Sequence, residues 1–338
     1  MADPHAPGNG APDSPAPAAG RPPATDLPPN AAPQLPRPQA LAIPQRLQVK
    51  FWGTRGSIPV SGPEYQRYGG NTSCVSISTD SGHLFILDAG SGIRPLGLAL
   101  GAAAHAAGVP STGYLLLSHS HWDHIQGFPF FQPAFARNAR FSIIGCCEEA
   151  ETLQTLLAGQ MEHCYFPVPL AGLPAQLSFH AVCNGEHRLD GASIAALVQK
   201  HTLPSTAFRL QLGRWKIVYA SDNEPLNPPT AGAQLMGFDV IDERLVAFTH
   251  GADLLIHDAQ YSLEEYPHHI GWGHNVPEVA VDTAIRAGVK RLVLFHHDPN
   301  HSDDQLDAMV AGAQERARRL GAAGLEVVGA RDGLALDL

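Results

Sequence analysis

The chain has 338 residues, 44% of them hydrophobic and 16% charged, which is enough apolar content for a large core. Its 22 Lys+Arg against 32 Asp+Glu give a formal charge of -10, so the surface repels a phosphate backbone and a general nucleic-acid coat protein is excluded. Five cysteines without a CxxC pair exclude a disulfide scaffold and a zinc ribbon, whereas 18 histidines point toward metal or acid/base chemistry.

Residues 1–45 are dominated by Pro, Ala and Gly, and such a composition cannot bury enough surface to offset its ordering entropy. They are expected to form a disordered Pro/Ala-rich tail that could dock a protein partner. The opening MADPHAPGNG has neither the basic nor the apolar region of a signal peptide, and no apolar run approaches the roughly 18 residues of a membrane span. The expectation is a cytoplasmic protein with reduced thiols and no membrane association. A folded domain over 46–338 follows.

Within it, residues 47–52 (LQVKFW), 74–78 (CVSIS) and 84–87 (LFIL) predict three early strands, the first two separated by a loop rich in Gly and Pro. Residues 92–107 predict a helix with Pro95 in its first turn. Strands at 114–117 and 141–144 and a helix at 148–157 come next. Segments 177–182, 193–198, 208–212 and 215–220 predict an antiparallel meander. Strand 254–256, helix 276–287, strand 291–295, helix 303–320 and strand 325–328 complete the chain. Strands followed by helices in both halves predict an α+β fold with two sheets packed face to face and helices outside.

The chemistry concentrates in YLLLSHSHWDHIQGFPFF, where an apolar strand runs into His119, His121, Asp123 and His124. In an extended segment His119, His121 and Asp123 project to one side, and a turn after Trp122 brings His124 alongside. Imidazole and carboxylate donors without thiolate suit Zn, Mn or Fe(II). Three further residues lie at or just past predicted strand ends: His201 in QKHTLPSTAFRL, Asp222 in IVYASDNEP and His296 in RLVLFHHDP. Alternation sends the neighbouring His297 to the opposite face.

These residues, in this order, resemble the motifs of the metallo-β-lactamase-fold hydrolase superfamily, with HxHxDH matched at His119, His121, Asp123 and His124. The resemblance implies a four-layer αββα sandwich and two divalent metal ions, zinc first, with Mn or Fe as alternatives. One ion would be held by His119, His121 and His201, the other by Asp123, His124 and His296, with Asp222 bridging. Two such ions about 3.5–4 Å apart can bind a bridging hydroxide nucleophile. Asp88 in LDAGSG resembles an aspartate that supports the metal loop through hydrogen bonds. For Arg55 a structural ion pair is expected over a substrate contact.

VKFWGTRGSIPVSG and RYGGNTSC resemble the phosphodiesterase branch, which includes transfer-RNA 3'-processing endoribonucleases, cyclic-nucleotide phosphodiesterases and phosphoribosyl cyclic-phosphate phosphodiesterases. His274 in GWGHNVPEV and Asp258 in LLIHDAQYS match that branch's proton-donating histidine and the acid that orients it, while Asp123 steers the nucleophile. His274 is followed by Asn-Val rather than the Ser-Thr of the transfer-RNA processing relatives. The acidic balance, and the lack of a long Lys-rich excursion between His124 and His201, favour a small cyclic phosphodiester over nucleic acid. The alternatives are a transfer-RNA 3'-processing endoribonuclease and a non-hydrolytic di-iron redox or oxygen sensor. A homodimer is the default assembly.

Overall fold

The computed structural model describes residues 43–147, 149–183, 185–225 and 241–338; all but the end of the expected tail lies outside them. Strands and helices are numbered in chain order. The strands are β1 (Leu47–Gly53), β2 (Cys74–Thr79), β3 (Leu84–Leu87), β4 (Thr112–Leu117), β5 (Arg140–Gly145), β6 (Gln176–Ala181) and β7 (Gly185–Leu189). They continue with β8 (Ala192–Gln199), β9 (Ser205–Leu212), β10 (Trp215–Ala220), β11 (Leu254–Asp258), β12 (Arg291–Phe295), β13 (Glu326–Gly329) and β14 (Ala335–Asp337). The helices are α1 (Ile93–Ala107), α2 (Trp122–Ile125), α3 (Ala150–Gly159), α4 (Glu243–Thr249), α5 (Pro277–Ala287) and α6 (Asp303–Arg319).

Two seven-stranded sheets form, with orders β14-β1-β2-β3-β4-β5-β6 and β13-β12-β11-β10-β9-β8-β7. The neighbours from β3 to β6 are parallel, as are those from β10 to β13. Strands in such regions are covered on both faces and carry continuous apolar runs, as in LLI of β11 and LVLF of β12, whereas β1 alternates between buried and more exposed positions. The sheets pack through Val49, Phe51, Phe85, Phe208, Ile217 and Phe295, all fully buried. Each such side chain contributes roughly 1.5–3 kcal/mol by leaving water. Ile93, Leu96, Leu153 and Leu157 of α1 and α3 cover the outer face of the first sheet; Leu245, Ala280, Ala284 and Ala313 of α4, α5 and α6 cover that of the second. The result is the four-layer αββα sandwich.

The meander is corrected in one respect. Segment 176–181 pairs parallel with β5 in the first sheet, so the meander proper is β7-β8-β9-β10. β7, with the polar sequence GEHRL, the three-residue β14 and the seven-residue α4 went unpredicted because none has a long apolar period. α6 begins in a reciprocal Ser302–Gln305 capping box, and α1 and α5 end on left-handed Gly108 and Gly288.

Arg55 is completely buried and structural. Its guanidinium donates to the carbonyls of Gly69 (3.0 Å), Asp298 (3.1 Å) and His301 (2.7 Å) and sits 3.8 Å from Asp303. The Gly-rich loop is thereby fixed to the chain after β12. His297 serves the same seam from the other side, its Nε2 donating to the Ala330 carbonyl at 2.8 Å.

Asp332 completes this seam, accepting from the Asn71 backbone N–H (3.1 Å) and side-chain amide (2.9 Å). Burial outweighs these bonds and pushes its carboxyl up to about 6. Because the folded value lies above the unfolded one near 3.9, its stabilising contribution is complete below about pH 4 and is lost as pH rises through about 6. Asp332→Asn should therefore change in relative stability across pH 4–7. Urea midpoints should show wild type losing on the order of 2–3 kcal/mol against the variant over that window. A pH-independent difference would contradict the assignment.

Candidate metal centre

The site is built at the carboxyl ends of the parallel strands of both sheets, where the chain leaves the sheet and side chains converge. β3 ends in Asp88, β10 leads to Asp222 and β12 to His296, and all three adopt left-handed backbone conformations, with φ of 60°, 51° and 62°. For non-glycine residues this is costly, and it persists where the surroundings demand it. The turn abruptly re-aims each side chain at the strand end. Gly56 shows how close the packing is: a Cβ there would lie 2.4 Å from the His296 ring.

His119 and His121 follow β4 in extended backbone. Asp123 does not continue their face as the alternation predicted; α2 begins directly after His121, and Asp123 and His124 reach the cluster from its first turn. The seven predicted ligand residues nevertheless meet. His119, His121, His201 and Asp222 form one group whose donor atoms all lie within 4.8 Å of one another, and Asp123, His124, Asp222 and His296 form a second. Asp222 belongs to both. Its Oδ2 faces His119 Nε2 (3.7 Å) and His201 Nε2 (3.6 Å), while its Oδ1 faces His124 Nε2 and His296 Nε2, each at 3.2 Å.

The donor set fits divalent cations. His119 Nε2 is buried with no hydrogen-bond partner among the described residues. Ring nitrogens approach each other, His124 Nε2 to His296 Nε2 at 3.2 Å and His201 Nε2 to His121 Nδ1 at 3.0 Å. Buried imidazoles leave lone pairs facing one another in this way when a cation belongs between them. Burial, aided by neighbouring imidazoles, holds His119 well below the ordinary histidine range; burial also lowers His121 and His201. These rings are thus neutral, the form a ligand requires. Burial opposes ionisation of Asp222, but His124, His296 and His119 overcome it and hold the carboxyl well below the usual range.

The supporting residues aim these groups. Asp88 accepts from Ser118 N–H (2.7 Å), Ser118 Oγ (2.8 Å), His124 Nδ1 (2.7 Å) and Tyr219 OH (2.6 Å). It therefore orients His124 with Nε2 toward the cluster, as carboxylates bonded to the far nitrogen of metal-binding histidines do. Sequence reasoning missed three comparable supports. Gln260 Oε1 accepts from His296 Nδ1 (2.8 Å), the Gly273 carbonyl accepts from His201 Nδ1 (2.7 Å), and the Ser57 backbone N–H donates to Asp123 Oδ2 (2.8 Å). Two of the three act through the backbone, which residue identity does not reveal; the glycines around Ser57 were the available signal.

Asp258 and His274 adjoin this cluster, their donor atoms lying within 4.8 Å of one another and of those of Asp222 and His296. His274 Nδ1 donates to Asp258 Oδ2 at 2.8 Å, leaving Nε2 as the nitrogen available to a substrate. The His274 ring stacks on His296, with centroids 4.9 Å apart. Asp258 is held in turn by the backbone N–H groups of Gln260 (3.1 Å) and Asn275 (2.9 Å).

The profile of the β-lactamase superfamily domain matches residues 83–297. Ribonuclease Z of Mycobacterium sp. (strain KMS) is 28% identical over 269 residues, covering 75% of this chain and 85% of that protein. Among solved structures, the metallo-β-lactamase-fold protein YhfI from Bacillus subtilis aligns at 18% identity with a TM-score of 0.62, covering 87% of this chain and 99% of the other. Human tRNase Z, short form, aligns at 18% identity with a TM-score of 0.54, covering 86% and 98%. No helix among the described residues is long and apolar enough to cross a membrane. Because the profile match spans every residue of the cluster from Asp88 to His296, the chain belongs to the β-lactamase superfamily, as a hydrolase of the metallo-β-lactamase fold.

Proposed function

We propose that the protein is a metal-dependent phosphodiesterase acting on a small, cyclic phosphodiester. The observation that carries this reading is the Asp258–His274 pair, a buried proton donor set against the ligand cluster. Hydrolysis of an ester with a poor alkoxide leaving group needs a proton delivered on the side away from the nucleophile. His119, His121, His201 and Asp222 would hold one divalent ion, and Asp123, His124, His296 and Asp222 the other. When bound, such ions supply Lewis acidity and lower the pKa of water.

The protein's own groups do the rest. Asp258 accepts the Nδ1 proton of His274 and so turns Nε2 toward the substrate; when the ring carries a second proton, at Nε2, that proton passes to the departing oxygen and leaves the neutral Nδ1–H ring. Asp123, held at Oδ2 by the Ser57 N–H, orients the attacking water. The overall charge of -10 disfavours long polyanions more than small ones.

A second reading, an endoribonuclease processing transfer-RNA 3' ends, is favoured by the name of the ribonuclease Z relatives. A panel of 2',3'- and 3',5'-cyclic nucleotides, a ribose 1,2-cyclic phosphate and precursor transfer RNA separates the two. Cleavage confined to the RNA would replace the first reading with the second.

His274→Ala is expected to lower kcat on a cyclic nucleotide by about 100- to 10,000-fold while metal content stays unchanged. On a 4-nitrophenyl diester, whose leaving group needs little protonation, the loss should be much smaller. An equal loss on both esters would remove the proton-donor role. Asp222→Ala, by contrast, should lose bound metal and turnover together, measured by elemental analysis of the purified protein. Chelation of wild type should likewise abolish turnover, with recovery on adding back Zn, Mn or Fe(II).

A further inference from the structure

Large apolar side chains left in water are informative when they gather. Ile58, Trp122, Leu203 and Trp272 are exposed by 58%, 70%, 43% and 58%, and each lies within two residues of a group that builds the centre. Ile58 follows Ser57, Trp122 follows His121, Leu203 comes two after His201 and Trp272 two before His274. The two tryptophan-bearing segments meet at one ring. His201 contacts His121 Nδ1 through Nε2 (3.0 Å) and the Gly273 carbonyl through Nδ1 (2.7 Å).

Trp272 is also braced. Its ring meets His269 edge-on at 4.9 Å, His269 stacks on Tyr261 at 4.1 Å, and Tyr261 meets His274 edge-on at 5.8 Å. A continuous run of rings thus leads from the proton donor to an exposed indole. Gly273, at φ 89°, makes the tight turn after Trp272 and lies directly against His201; a Cβ there would lie 2.1 Å from His201 Nδ1. A metal cleft for a compact, wholly polar ester gains nothing from two indoles kept in water at its rim. A planar heteroaromatic group carried by the substrate would stack on them.

We propose that Trp122 and Trp272 are specificity-determining residues that stack the nucleobase of the substrate, so that the site takes nucleoside phosphodiesters in preference to sugar phosphodiesters without a base. This rests on the phosphodiesterase reading and narrows it. Stacking on an aromatic side chain is worth about 1–3 kcal/mol per base, which corresponds to roughly 5- to 150-fold in affinity.

The test uses the metal-loaded protein, with adenosine 2',3'-cyclic phosphate against ribose 1,2-cyclic phosphate as substrates. The ratio of their kcat/KM values should fall roughly 5- to 150-fold in Trp122→Ala and in Trp272→Ala, mainly through KM for the nucleotide. Trp272→Phe should restore most of it. Phe135→Ala, at an exposed aromatic that lines a hollow beside Gly101 and Ala104 of α1, should leave the ratio as in wild type. Intrinsic fluorescence gives a readout that needs no turnover. AMP should quench wild type where ribose 5-phosphate does not, and the quench should shrink in both alanine variants. An unchanged ratio, or equal quenching by both phosphates, would overturn the proposal. Base-dependent quenching without hydrolysis of any phosphodiester would keep the stacking role and overturn the phosphodiesterase reading instead.

Discussion

The carboxylate of Asp88 ties the two sheets together where the chemistry is assembled. It stands at the end of β3 in the first sheet, yet one of its four bonds comes from Tyr219 of β10 in the second. The other three come from Ser118 and His124, in the segment that carries the densest group of candidate ligands. A single buried carboxylate with four donors is fully satisfied, so its burial stabilises a particular mutual position of the sheets. The candidate centre inherits that position, because His119, His121 and His124 come from one sheet and Asp222 and His296 from the other.

Electrostatics at the site and over the whole chain pull in different directions. The chain carries an excess of acid, but at the centre two carboxylates face five imidazoles, and most of the acidic surplus lies elsewhere. Burial opposes ionisation of Asp123 and Asp222, and His124 and His296 above all hold both carboxyls well below the usual range. The same carboxylates raise His296 to about 9 despite its burial, and occupancy by a cation must displace such protons. The ligand groups are therefore preorganised in position more than in protonation.

Much of this was legible in the residues. The strong strands carry β-branched and aromatic runs, and three of them, β3, β10 and β12, begin and end where the apolar pattern does. The cluster was legible because its candidate ligands fall at or just past strand ends in a recognisable order. What escaped detection has specific causes. α2 is a four-residue helix whose start follows from packing against Ala89 and Gly90, through bonds such as Ala89 N–H to the His124 carbonyl at 2.7 Å. β6 resembles the strands that follow it in composition, and only its parallel pairing with β5 assigns it to the first sheet. The backbone contacts of Ser57 and Gly273 involve groups every residue possesses, and their importance depends on position alone.

The pairing of β14 with β1 has a consequence for the order in which the chain is made. The outer edge of β1 is covered by Ala335–Asp337, and Gln48 of β1 is made 289 residues before Asp337, which lies opposite it. Arg55, just beyond β1, waits for the carbonyl of Asp298, 243 residues away. Until β14 arrives β1 carries an open sheet edge, and until the chain after β12 arrives Arg55 has only the nearby Gly69 carbonyl of its three acceptors. Contacts of such long sequence separation close slowly. Such an edge is open to pairing with another chain until β14 covers it.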